Sequence, residues 1–382
     1  MASSALTGVA LTAGYASAQQ WTGATSSDYT VGSNWSGGTA PNSSSAPVVF
    51  GAGAATTAAD LNTPYPAGYY QAGSVSFNDP ASAYTISVSN TAYLNISGDV
   101  SNSSGVIQNF VVTGVSGTGQ ASEIILGGNA GSNVVYTVNA YGTVQFNSAG
   151  GSASGADASF VLNGGGIALS GSGTLELGSV EGSGILSYYG NPNGSSGNFQ
   201  IGGLGTSTTL NAQIQQQTGT LSITKVGSGT LTLTGASSYT GGTTLYGGTL
   251  SLGNNDALGT GALYAFNGTT IDIQNGITIN NDLTIDVAQT INVDSGTGTY
   301  AGQISEFSDP STIVKTGAGT LVLTNDGNSF SSGARIEEGT IRVTANHALG
   351  SGRSRWIAAH CRPGPTSPLP MFRSCSARPA AP

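Results

Sequence analysis

The sequence predicts an all-β chain wound as a solenoid of short stacked strands, and three observations predict it. Sixty glycines accompany only 7% charged residues, and helix formers are scarce, which is not the usual globular mixture. Apolar residues occur in short runs rich in Thr, Val, Ile, Leu and Tyr, separated by Gly, Ser and Asn, so a core has to be assembled from many short strands. The stretch KVGSGTLTLTGASSYTGGTTLYGGTLSLGNNDALG, Lys225 to Gly259, returns as KTGAGTLVLTNDGNSFSSGARIEEGTIRVTANHALG, Lys315 to Gly350.

Periodicity decides between a hairpin-built sandwich and a solenoid. Apolar pairs two residues apart recur at Leu231/Leu233, Leu250/Leu252, Ile271/Ile273, Ile291/Val293, Leu321/Leu323 and Ile341/Val343, with steps of 19, 21, 20, 30 and 20 residues. Coils of similar length, each presenting the same pair, allow equivalent strands to stack about 4.8 Å apart. A sandwich would repeat its strands every ~8–12 residues. Alternation along each strand directs Leu231 and Leu233 inward and Thr230, Thr232 and Thr234 outward. The step of 30 is read like the others, with Leu321 stacking on Ile291.

Taken in order, residues 1–18 end in Ala16-Ser17-Ala18 after a mildly apolar run and read as an export signal cleaved before Gln19, although the usual basic start is missing. Residues 19–80 are expected to form an N-terminal cap, with Trp21, Trp35 and Phe50 covering the open end of the stack. The alternative for Trp21 and Trp35 is an exposed platform on which a sugar stacks. Residues 81–220 alternate strand-like runs such as Tyr84–Val88, Asn109–Thr113 and Val134–Val138 with Gly/Ser/Asn turns, as solenoid corners require. Residues 221–352 carry the duplicated segment on the same solenoid. Residues 353–382 break the pattern: five of nine basic residues and both cysteines, Cys361 and Cys375, fall there with no acidic residue. That tail reads as a shifted reading frame, the alternative being a genuine Pro/Arg-rich flexible end.

The formal charge of −9 conceals a body, residues 1–352, with four basic groups against eighteen acidic ones. Such a surface cannot neutralise phosphates, which argues against nucleic acid and against docking on anionic lipid. Without cysteine, that body has no disulfide framework and no thiolate metal site.

The segments Lys225-Val-Gly-Ser-Gly-Thr-Leu-Thr-Leu-Thr234, Tyr239-Thr-Gly-Gly-Thr-Thr-Leu245, Gly248-Thr-Leu-Ser-Leu252 and Ala257-Leu-Gly259 resemble the autotransporter-associated β-strand repeat, also called the passenger-associated transport repeat. The second copy keeps Lys315, Gly317, Gly319-Thr-Leu321 and Ala348-Leu349-Gly350, but has Phe330 for the tyrosine and Ser332 for one glycine of the Gly-Gly pair. The resemblance implies a right-handed parallel β-helix passenger, exported by a type V route and displayed on, or released from, the outer membrane of a Gram-negative bacterium. It implies the outer-membrane translocation machinery as partner during export, repeats that assist transport and folding, and a structural or adhesive role toward a carbohydrate or host surface. The family's membrane barrel is not recognised in the residues after Gly352.

Catalytic chemistry finds little footing. His347 occupies a turn where the first copy has Asp256, and His360 lies in the tail, so no histidine is available for a Ser/His/Asp triad. The alternative function is a polysaccharide lyase or hydrolase using Asp272, Asp282, Asp286 and Asp294, with Lys225 and Lys315 the nearest cations in sequence. Calcium binding by the same carboxylates lacks the Gly-Gly-x-Gly-x-Asp nonapeptide. No catalytic, cofactor-binding or metal residue is assigned, and the chain is expected not to be an enzyme.

Overall fold

The computed structural model describes residues 17–351, apart from 65, 80, 118–119, 148–152 and 191–193, and the backbone of 359–363 and 373–377. The export signal expected at 1–18 lies, except for its last two residues, outside the described residues. Among these there is no α-helix, only a 3-10 turn at Gly32–Asn34. The chain is a parallel β-solenoid of about 12 turns.

Strand pairing defines three faces. The first begins with Pro47–Phe50, Ser74–Phe77 and Val100–Asn102, and returns in Ser196–Ile201, Thr220–Lys225, Thr243–Leu245, Leu263–Ala265, Leu283–Ile285 and Ile304–Glu306. The second runs from Ala58–Leu61 through Thr85–Ser89, Gln108–Thr113 and Val134–Asn139 to Thr230–Leu233, Thr249–Leu252, Thr270–Ile273, Ala288–Asn292, Thr312–Thr316 and Ala334–Ile336. The third includes Tyr69–Ala72, Tyr93–Ile96, Ser122–Leu126 and Gly142–Asn147, and later Thr297–Tyr300, Thr320–Leu323 and Thr340–Val343. In mid-chain the runs expected as separate strands fuse: Gly155–Ser170, Gly173–Tyr189 and Thr208–Thr218 bend around corners and pair on more than one face. Parallel pairing includes residues from 47 onward and crosses 80/81 and 220/221 without a break. Beyond residue 352, the backbone of Arg373–Ala377 pairs antiparallel with Thr340–Val343 and with Ala359–Pro363.

The core follows from alternation on a pleated strand. Leu231, Leu250, Ile271 and Ile291 are successive register partners and all are buried. The expected stacking of Leu321 on Ile291 is not found: Ile291 faces Lys315, and Leu321 lies beside Gly298 on the third face. The step of 30 is therefore a full coil plus the passage to the next face. The first repeat places its main strands on faces one and two, the second on faces two and three.

Aromatic residues line the N-terminal half of the core. Phe110, Tyr136 and Phe160 are register partners whose rings stack 5.0 and 5.2 Å apart. Such contacts contribute about 0.5–1.5 kcal/mol beyond their buried area. Trp21, Tyr29 and Trp35 pack edge to face, at 5.0 Å between the two indoles and 4.7 Å between Tyr29 and Trp35, and both indoles lean on Phe50. All four are buried. The indole N–H groups donate to Thr56 O and Tyr29 O, so neither tryptophan is an exposed sugar platform.

Within each repeat, the main-chain carbonyl of one buried aromatic residue holds the closing turn. The Thr260 N–H donates to Tyr239 O and the Ser351 N–H to Phe330 O, both at 3.0 Å. Gly259 and Gly350 precede these donors with φ of +58° and +76°, and a Cβ on either would fall within about 2 Å of the same carbonyl. In the first copy the Tyr239 hydroxyl lies 2.6 Å from Thr243 Oγ1. The second copy replaces both partners, with Phe330 and Ala334, and so removes the hydroxyl pair as a unit. Phe330→Tyr alone is expected to cost about 1–3 kcal/mol by burying an unpaired hydroxyl, and adding Ala334→Thr to recover most of it in denaturant unfolding. Recovery of less than half would show that packing, not pairing, sets the choice.

Candidate functional site

The repeats converge on a buried lysine at a corner. Lys225 is the last residue of its first-face strand, in register with Ile201 on one side and Leu245 on the other, so its stem lies in an apolar column. Its side chain is buried, and Nζ donates to the carbonyls of Val226 at 2.7 Å, Gly227 at 3.0 Å and Gly247 at 3.0 Å. Lys315, equally buried between Ile291 and Ile336, donates to Thr316 O, to Gly317 O at 2.7 Å and to Glu338 O at 3.5 Å. Two acceptors come from the lysine's own corner and the third from the next coil's corner. Glycine makes that corner: Gly227 and Gly317 have φ of +71° and +76°, and their Cβ atoms would lie 2.0 Å from Gly202 O and 2.4 Å from Val293 O.

An ammonium group has three donors, and each lysine meets three carbonyls. Burial nevertheless disfavours the charged form and pulls both lysines down to about 8. The arrangement binds adjacent coils, and the Lys315 head lies near enough to Glu338 and Asp294 for both carboxylates to oppose part of that fall.

The four sequence-predicted aspartates are partly gathered. Asn292 Nδ2 donates to Asp272 Oδ1 at 2.7 Å and to Asp294 Oδ1 at 2.8 Å. Ser251 Oγ donates to Asp272 Oδ2 at 2.5 Å, and Thr316 Oγ1 to Asn292 Oδ1 at 3.1 Å. Ser251, Asp272, Asn292 and Thr316 are successive register partners, so these bonds form a polar ladder on the outer side of the second face. Asp272 and Asp294 also line a depression of about 290 Å³ with Gln274, Asn275 and Ser295. Asp282 instead accepts from the Gln303 N–H at 3.0 Å and Asp286 from the Asn267 N–H at 3.5 Å, so the structure joins only two of the four aspartates. No group of three or more His, Cys, Asp or Glu positioned for a metal ion occurs among the described residues. His347 is exposed in its turn, with both its N–H and Nδ1 on Asp326 Oδ1. The side chain of His360 lies outside the described residues.

Two surface features escape the sequence reading. Tyr141, Ile167, Ile185 and Tyr189 line an open groove of about 620 Å³ on the third face. Tyr246, Phe266 and Phe307 form a row of surface rings, and their spacing of about one or two coils was the signal that could have revealed them.

Comparison with known proteins agrees with this geometry. The Passenger-associated-transport-repeat family model matches residues 223–252 and 313–343, the segments that enclose the two lysine corners. The chain is also 31% identical over 156 residues to the adhesin BmaC autotransporter of Brucella suis biovar 1 (strain 1330). That alignment covers 40% of this chain and 4% of the relative's length. Stacked coils with these repeats define an exported β-solenoid of the passenger type. The two repeat matches and the likeness to an autotransporter adhesin support an autotransporter passenger repeat protein, secreted or associated with the outer membrane at the cell surface.

A depressed lysine pKa has a definite consequence for stability. Between pH 8 and 10.5 the unfolded chain binds protons that the folded chain has released, so unfolding free energy rises with pH. Above about 10 the unfolded tyrosines begin to ionise, while burial pushes up Tyr29, Tyr136, Tyr239 and Tyr300 and opposes the rise. Unfolding from pH 8 to about 10 is therefore expected to show increasing stability in the native chain and a flatter profile in Lys225→Met/Lys315→Met. At pH 7 each single Met variant should lose roughly 1–3 kcal/mol through carbonyls left without a donor.

Proposed function

We propose that this chain is a non-enzymatic stalk and contact surface: a right-handed passenger solenoid, closed at its N-terminal end by the aromatic segment within 19–80. Its repeats assist transport and folding, and its outer faces adhere to a carbohydrate or host surface. On this reading the outer-membrane translocation machinery is its partner during export, and nucleic acid is not a ligand.

The observation that carries the reading is the ladder from Ser251 to Thr316. Asp272, the carboxylate best placed for polysaccharide chemistry, is bound on both oxygens by neighbouring rungs, while the nearest repeat cations are buried on carbonyls. The name of the Brucella relative, an adhesin, supports the adhesive part. Folding assistance is supported by the strand edges: each completed coil offers unpaired N–H and C=O groups on which the next adds, and the lysine corner fastens the addition.

One observation favours the carbohydrate-active alternative. Asp272 and Asp294 share a single amide nitrogen, which holds them within about the ~5–5.5 Å spacing of a retaining glycosidase pair. Incubation of the chain with neutral and acidic polysaccharides is expected to release neither reducing ends nor unsaturated products. Product that vanishes in Asp272→Asn or Asp294→Asn would establish the alternative. Beads coated with the chain are expected to adhere to glycan-bearing surfaces above an albumin control, and their failure to do so would remove the adhesive role.

A further inference from the structure

A row of aromatic rings stands on the corner after the first face, with Tyr246 and Phe307 exposed and Phe266 half-buried between them. Tyr246, Phe266 and Phe307 each directly follow a first-face strand, and Asp286 holds the same place in the coil between the last two. Their backbone N–H groups mark four successive coils, donating in turn to Lys225 O, Leu245 O, Ala265 O and Ile285 O. The Tyr246 and Phe266 rings stack 4.4 Å apart at 19°, and Phe266 and Phe307 meet 5.4 Å apart at 31° across the Asp286 coil. Tyr264 extends the array, 6.3 Å from Phe307 at 28°. Tyr246 is 57% exposed and Phe307 44%.

The repeat does not require these rings. In the second copy the residue after the equivalent strand is Glu337, not an aromatic. Stacking between coils accounts for part of this row, but it leaves Tyr246, Tyr264 and Phe307 exposed, and contiguous exposed apolar patches mark interaction sites. Beside the row, Val287 is an exposed β-branched residue at φ +43°, a conformation disfavoured for such side chains.

Charge and shape narrow the occupant. Asp286 and Glu306 are the carboxylates flanking the rings, and Lys225, the cation at the neighbouring corner, is buried on carbonyls. An acidic polymer would meet repulsion there without compensation. Hydroxyl groups accompany the rings: Thr284, in register with Tyr264, pairs with Ser305 at 3.3 Å. A stacked row of rings with successive centroids 4.4 and 5.4 Å apart, edged by hydroxyls and a carboxylate, matches a ligand with apolar C–H faces and hydroxyl edges repeating along its length. We infer that Tyr246, Phe266, Phe307 and Tyr264, with Asp286 among them, form a binding track for an uncharged, extended polysaccharide. This inference rests on the adhesive reading and names the site and ligand class for it.

The test is calorimetric titration of the full chain with cellohexaose, mannohexaose and chitohexaose, with an oligogalacturonate of equal length as the acidic comparator. At least one uncharged hexasaccharide is expected to bind, and the oligogalacturonate is not. Tyr246→Ala and Phe307→Ala should each weaken binding about tenfold or more, and the joint variant should abolish it, with unchanged far-ultraviolet circular dichroism. Three outcomes overturn the inference: no uncharged oligomer binds, the joint variant binds as the native chain does, or the acidic oligomer binds equally well. Concentration-dependent self-association lost in the joint variant, without glycan binding, would make the row a contact between copies and also overturn it. Bead adhesion separates the two readings. Adhesion retained by the joint variant removes the track alone, whereas absent adhesion by the native chain removes the adhesive role itself.

Discussion

Every coil of this chain has to present its backbone to a neighbour about 4.8 Å away on either side. That in-register parallel pairing imposes the other features. Residues at equivalent places become direct neighbours, so inward columns such as Leu231, Leu250, Ile271 and Ile291 are uniformly apolar, and outward ones such as Ser251, Asp272, Asn292 and Thr316 bond to one another. The same constraint concentrates difficulty at the corners, where the chain turns out of the pairing direction and its carbonyls lose strand partners.

The buried lysines answer that difficulty. A carbonyl at a corner and an ammonium in an apolar column would each be costly if isolated, since both need hydrogen-bond partners out of water. Put together, they satisfy each other: the stem fills a place in the core that a leucine or isoleucine holds in adjacent coils, and the head binds oxygens the strands leave over. The third carbonyl makes the device more than local, because Gly247 and Glu338 belong to the coil that follows. Loss of the lysine would thus loosen a joint between coils as well as a corner.

Much of the fold could be read from the residues. Two-apart apolar pairs at steps of 19 to 21 residues identify stacked coils because pleating and stacking leave no other use for such a pattern. The burial of Trp21 and Trp35 also agrees with a core role. Other features depend on information a linear pattern does not carry. Ile291 to Leu321 reads as one longer step, since a change of face leaves the inward pair unchanged and only the pairing partners reveal it. Lys225 and Lys315 read as polar repeat markers because their burial depends on carbonyls at corners whose shape appears only once glycines adopt positive φ. Proximity in sequence likewise grouped four aspartates, while the coil geometry sends Asp282 and Asp286 to backbone partners elsewhere. The surface rings leave no mark on the pattern of inward pairs, because each follows its strand and lies outside that pattern, although Tyr246 and Phe266 stand one coil apart.

The change of face between the two repeats says what kind of unit the repeat is. If it were tied to one side of the solenoid, Lys315 would lie in the column of Lys225, with Ile201, Leu245 and Ala265; it lies instead in the column of Leu250 and Ile291. Both copies nevertheless build the same corner, the same main-chain carbonyl support for the closing turn and the same contact from lysine to the next coil. What repeats is therefore strand, glycine corner, strand and return, closed by contacts within itself and with one further coil. Such a unit needs only an exposed strand edge to add to, whichever face supplies it. An altered coil length between copies can rotate the pattern around the axis while leaving the growth of the stack intact.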